Sequence, residues 1–188
     1  TTDDPTDDLA SHIDLHNEGF EITVSPSFRP DKGLNLEREE FIGWLEKLGQ
    51  VTNSSIETYD QLLDALSSRV DYFDEHGCRA SDHGIDVMFF ETATREEASA
   101  VFQKRINGET LSAKEIEQYK TFTLLTLGEL YAEKGWAMQL HLSALRNNNT
   151  RMFNILGPDT GFDSIGDVLI ANKVSNFLDA LESKDKLP

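Results

Sequence analysis

An imidazole and a guanidinium five residues apart, His141 and Arg146, are the pair in this chain best suited to handling an acidic small molecule. An imidazole exchanges a proton near neutral pH, and a guanidinium forks onto a carboxylate through two parallel hydrogen bonds. The same residues also fit a core histidine tied to backbone and a loop arginine in a surface ion pair, and spacing alone leaves both readings open. Asp82-His83 sets a carboxylate beside an imidazole, a combination for proton transfer or metal binding, with a structural or surface pair as the commoner reading. Arg29, followed by Pro30 and Asp31, is a second candidate cation, with a salt bridge to Asp31 as its alternative. Asp3 and Asp4 precede Pro5, where an aspartate-capped turn competes with a ligand role. His12 and His16 are spaced to share one helix face, as in zinc helices, but residue 13 is Ile rather than the Glu of HExxH, which favours a solvated face. Cys78 has no conspicuous activating base nearby and reads as a packed strand residue.

Alternating strands and helices must position these groups. Phe20-Glu21-Ile22-Thr23-Val24-Ser25 alternates apolar and polar residues, the period of a half-buried strand ending at Pro26. A helix is expected from about Leu36 to Leu48, with Phe41, Leu45 and Leu48 on one stripe and Gly49 as its left-handed cap. Ser54 and Glu57 have capping-box spacing, and apolar residues from Ile56 to Phe73 then recur at helical intervals up to Gly77. Cys78-Arg79-Ala80-Ser81 reads as a short strand with Asp82-His83-Gly84 as its exit. Thr94 with Glu97, and Ser112 with Glu115, open two further helices, to about Ile106 and to Lys134, the second stopped by Gly135. Trp136 to Leu142 is the third strand candidate, feeding the polar loop Arg146-Asn147-Asn148-Asn149, whose amides suit a tight turn; a last helix covers roughly Ile170 to Leu181. Strands alternating with helices imply parallel strands with crossover helices, and the polar residues fall after the strands, where α/β folds place ligand sites. Only three strands are visible, too few for a closed barrel.

Composition narrows the partners. The chain has 188 residues, 38% hydrophobic and 27% charged, and carries 34 acidic against 17 basic side chains for a net charge of −17. That balance excludes the basic footprint of a nucleic-acid binder and disfavours docking on an anionic membrane. The apolar runs are too short for a membrane span, and one cysteine rules out a disulfide framework. The polar start TTDDPTDD has no signal-peptide pattern, so a cytoplasmic location is expected. With no initiator Met, and a stop at Lys184-Asp185-Lys186-Leu187-Pro188 just after a helix, both ends read as cuts through a longer protein.

Several blocks resemble the uronate isomerases. The stretch from Met138 to Arg151, MQLHLSALRNNNTR, resembles that family's signature, as does its continuation from Leu156 to Ile165, LGPDTGFDSI. Thr2-Asp3-Asp4-Pro5, Ser27-Phe28-Arg29-Pro30-Asp31 and Gly77-Cys78-Arg79-Ala80-Ser81-Asp82-His83 match in the same order, so the resemblance covers essentially the whole chain. It implies an α/β fold, the (β/α)8 TIM barrel of the amidohydrolase superfamily, with residues 1–188 as a single partial-barrel segment holding about strands three to five and their helices. It implies interconversion of D-glucuronate and D-fructuronate, and of D-galacturonate and D-tagaturonate, through an enediol. His141 and Arg146 match family residues that contact the sugar acid, and Arg29 matches an arginine on the substrate side. Asp82 and His83 align with the end of the fourth barrel strand, which makes them candidate substrate contacts. Family members carry a His-x-His metal pair on the first strand and an aspartate on the last. This sequence has no His-x-His, so the divalent metal, zinc, that the resemblance implies for full-length enzymes has no ligands assignable here. The expected partners are a small uronic acid and further copies of the chain, with self-association through unpaired strands. Two other readings remain: a non-catalytic α/β binding or assembly module derived from such a barrel, and another metal-dependent hydrolase of the superfamily, which the specificity of LRNNNTR disfavours.

Overall fold

The structure, a computed structural model, describes residues 1–158 and 160–188. In chain order the elements are β1 (Thr2–Asp3), α1 (Ala10–Asn17), β2 (Ser27–Phe28), α2 (Asp31–Leu34), α3 (Phe41–Val51), α4 (Tyr59–Glu75), β3 (Ala80–Ile85), α5 (Arg95–Ile106), α6 (Ala113–Lys134), β4 (Ala137–Leu142), β5 (Ala144–Leu145), α7 (Thr150–Leu156), β6 (Ser164–Ile165) and α8 (Ala171–Glu182). β1 to β4 form one four-stranded sheet in sequence order, every pairing parallel, and β5 pairs with β6 in a separate antiparallel ladder. All four carboxyl ends of the parallel strands therefore open on one edge. Among the described residues no helix is long and apolar enough to cross a membrane.

The helices start where side chains satisfy the orphan amides of the first turn. Thr94 with Glu97 caps α5, and Ser112 with Glu115 caps α6, both as complete capping boxes, as the spacing predicts. The box at α4 lies elsewhere than expected: Thr58 and Gln61 form it, not Ser54 and Glu57. Gly135 ends α6 in the left-handed conformation (φ 66°), turning the chain straight into β4.

One face of the sheet is packed against helices. Phe28 is fully buried, with its ring centroid 5.0 Å from Phe73 of α4, 6.1 Å from Tyr131 of α6 and 6.1 Å from Trp136. In register with Phe28 is Ser81, and with Ser81 is Met138. Successive side chains alternate faces, so Ser81, His83 and Ile85, with Met138, Leu140 and Leu142, face the helices. Arg29, Asp82, Gly84, Gln139 and His141 face the other way.

Four further expectations change. The alternating segment from Phe20 to Ser25 forms no strand: Phe20 and Ile22 are 53% and 67% exposed, with no layer to cover them, and the strand comes at Ser27–Phe28 against Thr2–Asp3. The helix expected from Leu36 begins at Phe41, although Phe41, Leu45 and Leu48 are buried as the stripe predicts. Gly49 lies inside that helix, where a Cβ would stand 2.7 Å from the Ser54 carbonyl oxygen; the left-handed residue of this turn is Asn53 (φ 51°). Asp82-His83-Gly84 are the middle of β3 rather than its exit, because β4 pairs with β3 through Ile85.

Candidate active site

The outward face of the carboxyl edge carries an open cleft of ≈ 1030 Å³, whose polar lining is Thr2, Arg29, Asp82, His141, Arg146 and Asp163 along with Asp86. Its centre is Asp82, almost wholly buried. Asp82 Oδ2 accepts from Thr2 Oγ1 at 3.0 Å and from Arg29 Nη1 at 3.5 Å. On the other side, His141 Nδ1 stands 2.8 Å from Asp82 Oδ1, at an angle short of hydrogen-bond alignment. Three neighbouring strands thus converge on one carboxylate.

Arg29 is held flat along β3. Its Nε donates to Asp31 Oδ2 at 2.8 Å, and the same oxygen accepts from the Gly84 amide at 3.0 Å. The guanidinium lies where a side chain at residue 84 would begin, so the absence of a Cβ at Gly84 is what admits it. Burial pushes the Asp31 carboxyl up, against the lowering effect of Arg29 and the Gly84 amide. The salt bridge to Asp31 offered as the alternative role of Arg29 is present, and it coexists with a place on the cleft.

Arg146 sits at the rim. Its Nη1 donates to Asp163 Oδ2 at 2.7 Å, and its Nε is 3.9 Å from Asp86 Oδ1. Asp163 also accepts from the Asn147 amide at 2.9 Å, and that bond, followed by Arg146, holds its carboxyl below the usual range. The Asn147-Asn148-Asn149 turn is tied as its composition suggests. Asn148 Nδ2 donates to Ser164 Oγ, and Asn149 Oδ1 accepts from the Met152 amide at 3.2 Å to cap α7.

His83 does not join this group. It is fully buried on the helix side, its ring centroid 5.7 Å from that of Tyr131, and burial pushes its imidazole down to about 3. His83 Nδ1 is 3.9 Å from Asp31 Oδ1, and neither ring nitrogen has a hydrogen-bond partner among the described residues. A dipeptide on a strand sends its two side chains to opposite faces, so Asp82 and His83 cannot both line one cleft.

The remaining candidates do not line this cleft. Asp4 Oδ1 caps a turn, accepting from the Thr6 amide at 2.9 Å, Thr6 Oγ1 at 2.8 Å and Trp44 Nε1 at 2.9 Å. His12 Nε2 meets Thr1 Oγ1 at 2.6 Å and lies 3.6 Å from Asp3 Oδ2, away from the cleft. Cys78 is buried, its Sγ donating to the Ala80 carbonyl at 3.2 Å, and burial raises its thiol. Among the described residues no group of three or more His, Cys, Asp or Glu side chains could hold a metal ion. The described residues therefore hold no complete ligand set for the implied zinc. Sequence reasoning missed Thr2, Gln139 and Asp163. Gln139 is two residues before His141 on one strand, which was a readable signal; Thr2 and Asp163 reach the cleft only through tertiary pairing.

A family model described as glucuronate isomerase matches residues 1–188. The chain belongs to the glucuronate isomerase family. A uronate isomerase of Caldicellulosiruptor saccharolyticus is 56% identical over 189 residues, covering 100% of this chain and 41% of the relative. One from Oceanobacillus iheyensis is 50% identical, covering 100% of this chain and 40% of its own length. The chain thus spans about two fifths of these relatives. The crystal structure of a uronate isomerase from Thermotoga maritima superposes with a TM-score of 0.89 at 34% identity, over 98% of this chain and 41% of that one. A glucuronate isomerase from Caulobacter crescentus, 24% identical with a TM-score of 0.82 over 95% of this chain and 37% of that one, shares the fold.

Proposed function

We propose that this chain is a segment of a uronate isomerase, interconverting D-glucuronate with D-fructuronate and D-galacturonate with D-tagaturonate. In this reading residues 1–188 are one partial-barrel unit, about the third to fifth strands of a (β/α)8 barrel with their helices, and the complete protein is cytoplasmic and self-associating. The observation that carries it is the convergence of Arg29, Asp82, His141 and Arg146 on one cleft at the carboxyl edge of a parallel sheet, the edge at which barrel enzymes build their sites.

Aldose–ketose isomerisation moves a proton between C2 and C1 while hydroxyl and carbonyl exchange places at O1 and O2. The substrate also carries a fixed carboxylate. A guanidinium from Arg146 or Arg29 pairs with that carboxylate and orients the chain. His141, half exposed beside a buried anion, exchanges a proton with a substrate oxygen as the enediol forms and collapses. Arg29 adds a donor along the cleft floor, where Asp82 Oδ2 accepts from it. The base that takes the C2 proton belongs to another part of the complete protein. A site assembled from several strand ends fails when most are absent, so the 188 residues alone are expected to show no appreciable turnover.

The test is kinetics on the complete protein with D-glucuronate. His141→Asn should lower kcat on the order of 10²–10⁴-fold, and Arg146→Lys should lower kcat/KM roughly tenfold to 150-fold, the loss of one charge-assisted contact. Near-normal kinetics in both folded variants would remove these residues from the site. No uronate turnover by the complete protein would favour a binding or assembly module.

A further inference from the structure

We infer that Asp82 is a positioning residue that fixes the tautomer of His141, so that Nδ1 carries the proton and Nε2 offers a bare lone pair to the cleft; this rests on the isomerase reading above.

Two contacts on opposite sides of the ring require the same tautomer. Nδ1 is 2.8 Å from Asp82 Oδ1. An ionised carboxylate only accepts, so a proton on Nδ1 is the arrangement that attracts. On the far side, Nε2 is 3.1 Å from Gln139 Nε2. An amide nitrogen only donates, so His141 Nε2 must accept. Gln139 and His141 lie two residues apart on one face of β4, so the glutamine holds the lone pair until a substrate hydroxyl replaces it.

Asp82 is itself fixed. Its Oδ2 is held by Thr2 from β1 and by Arg29 from the end of β2, which leaves Oδ1 for the ring. Arg29 can only donate, so the Oδ2 position must remain an acceptor in any amide replacement. In Asp82→Asn the carbonyl oxygen is therefore steered towards Arg29 and the NH₂ towards His141. That NH₂ needs an acceptor, which drives the His141 proton from Nδ1 to Nε2 and removes the lone pair from the cleft. The change is isosteric, so its effect is electronic rather than a loss of packing.

The experiment uses the complete protein with ¹⁵N-labelled histidine, read at a pH where the ring is neutral, beside kinetics on D-glucuronate. Wild type should show His141 protonated at Nδ1, and Asp82→Asn should show it protonated at Nε2. The variant should lose on the order of 10²-fold or more in kcat with KM nearly unchanged, the signature of a wrong tautomer. In a His141→Gln background the same substitution should cost little more, because the two residues act as one unit. A wild-type His141 protonated at Nε2, or an Asp82→Asn loss fully additive to that of His141→Gln, would overturn the proposal. If wild type fails to isomerise D-glucuronate, the isomerase reading falls, while the nitrogen shifts still decide the tautomer.

Discussion

Replacing Gly84 with alanine adds one methyl group under the Arg29 guanidinium. The new Cβ would overlap Arg29 Nη2 and lie 3.1 Å from Asp31 Oδ2. The backbone there is ordinary strand, with no positive φ, so alanine is unstrained in itself. Without the collision, Gly→Ala should stabilise by about 0.4–1 kcal/mol through reduced freedom of the unfolded chain. To clear it, the end of Arg29 must shift, at the expense of its contacts with Asp31 and Asp82. A charge-assisted hydrogen bond is worth about 1.5–3 kcal/mol when buried. Arg29 is 34% exposed, so screening brings the combined loss down to about 1–2 kcal/mol. Gly84→Ala should therefore cost up to about 1.5 kcal/mol in the natural background and turn mildly stabilising when Arg29 is already Ala. Urea unfolding of the four proteins measures this directly, and kcat/KM in the complete enzyme should fall roughly tenfold or more only where Arg29 is present. Equal stability effects in the two backgrounds, within about 0.5 kcal/mol, would refute the claim that Gly84 exists to seat this arginine.

The buried His83 should make stability depend on acid. Its imidazole is pushed down to about 3 from 6.5, so the unfolded chain binds the extra proton first. The stability this neutral ring contributes is complete above pH about 6.5 and is lost as pH falls towards about 3, by at most about 1.4 kcal/mol per pH unit. The stability gap between wild type and His83→Leu should shift against wild type across that window, and a gap that stays constant down to pH 4 would contradict the burial argument. The 188 residues on their own should self-associate, since β1 and β4 are outer strands of the sheet and Ile165 and Leu169 are 93% and 100% exposed. Light scattering across a concentration series tests this, and a monodisperse monomer at every concentration would count against it.

Local chemistry was legible in the sequence, and long-range pairing was not. The caps at Thr94 and Ser112 were readable because both partners of each box lie within one turn. The stop at Gly135 was readable for the same reason. β1 and β2 are two residues each, too short to show any period; they exist because Thr2 and Asp3 pair with Ser27 and Phe28. The alternation from Phe20 to Ser25 was a true pattern without a neighbour to use it. At the cleft, Arg29, Asp82, His141 and Arg146 could be named from residue type and position after strands. Separating Asp82 from His83 needed the exact start of β3, because orientation on a strand depends on parity.

That parity has a consequence for how the chain must fold. If β3 slid by a single residue against its neighbours, the carboxylate of Asp82 would be thrust among Phe28, Tyr131 and Trp136, and the His83 ring would be turned out to water. An unpaired anion in such surroundings costs several kcal/mol, a large share of what a domain of this size has to spare. The dipeptide thus acts as a proofreader of strand alignment: the same two adjacent side chains that equip one face and fill the other make the neighbouring alignment energetically inaccessible.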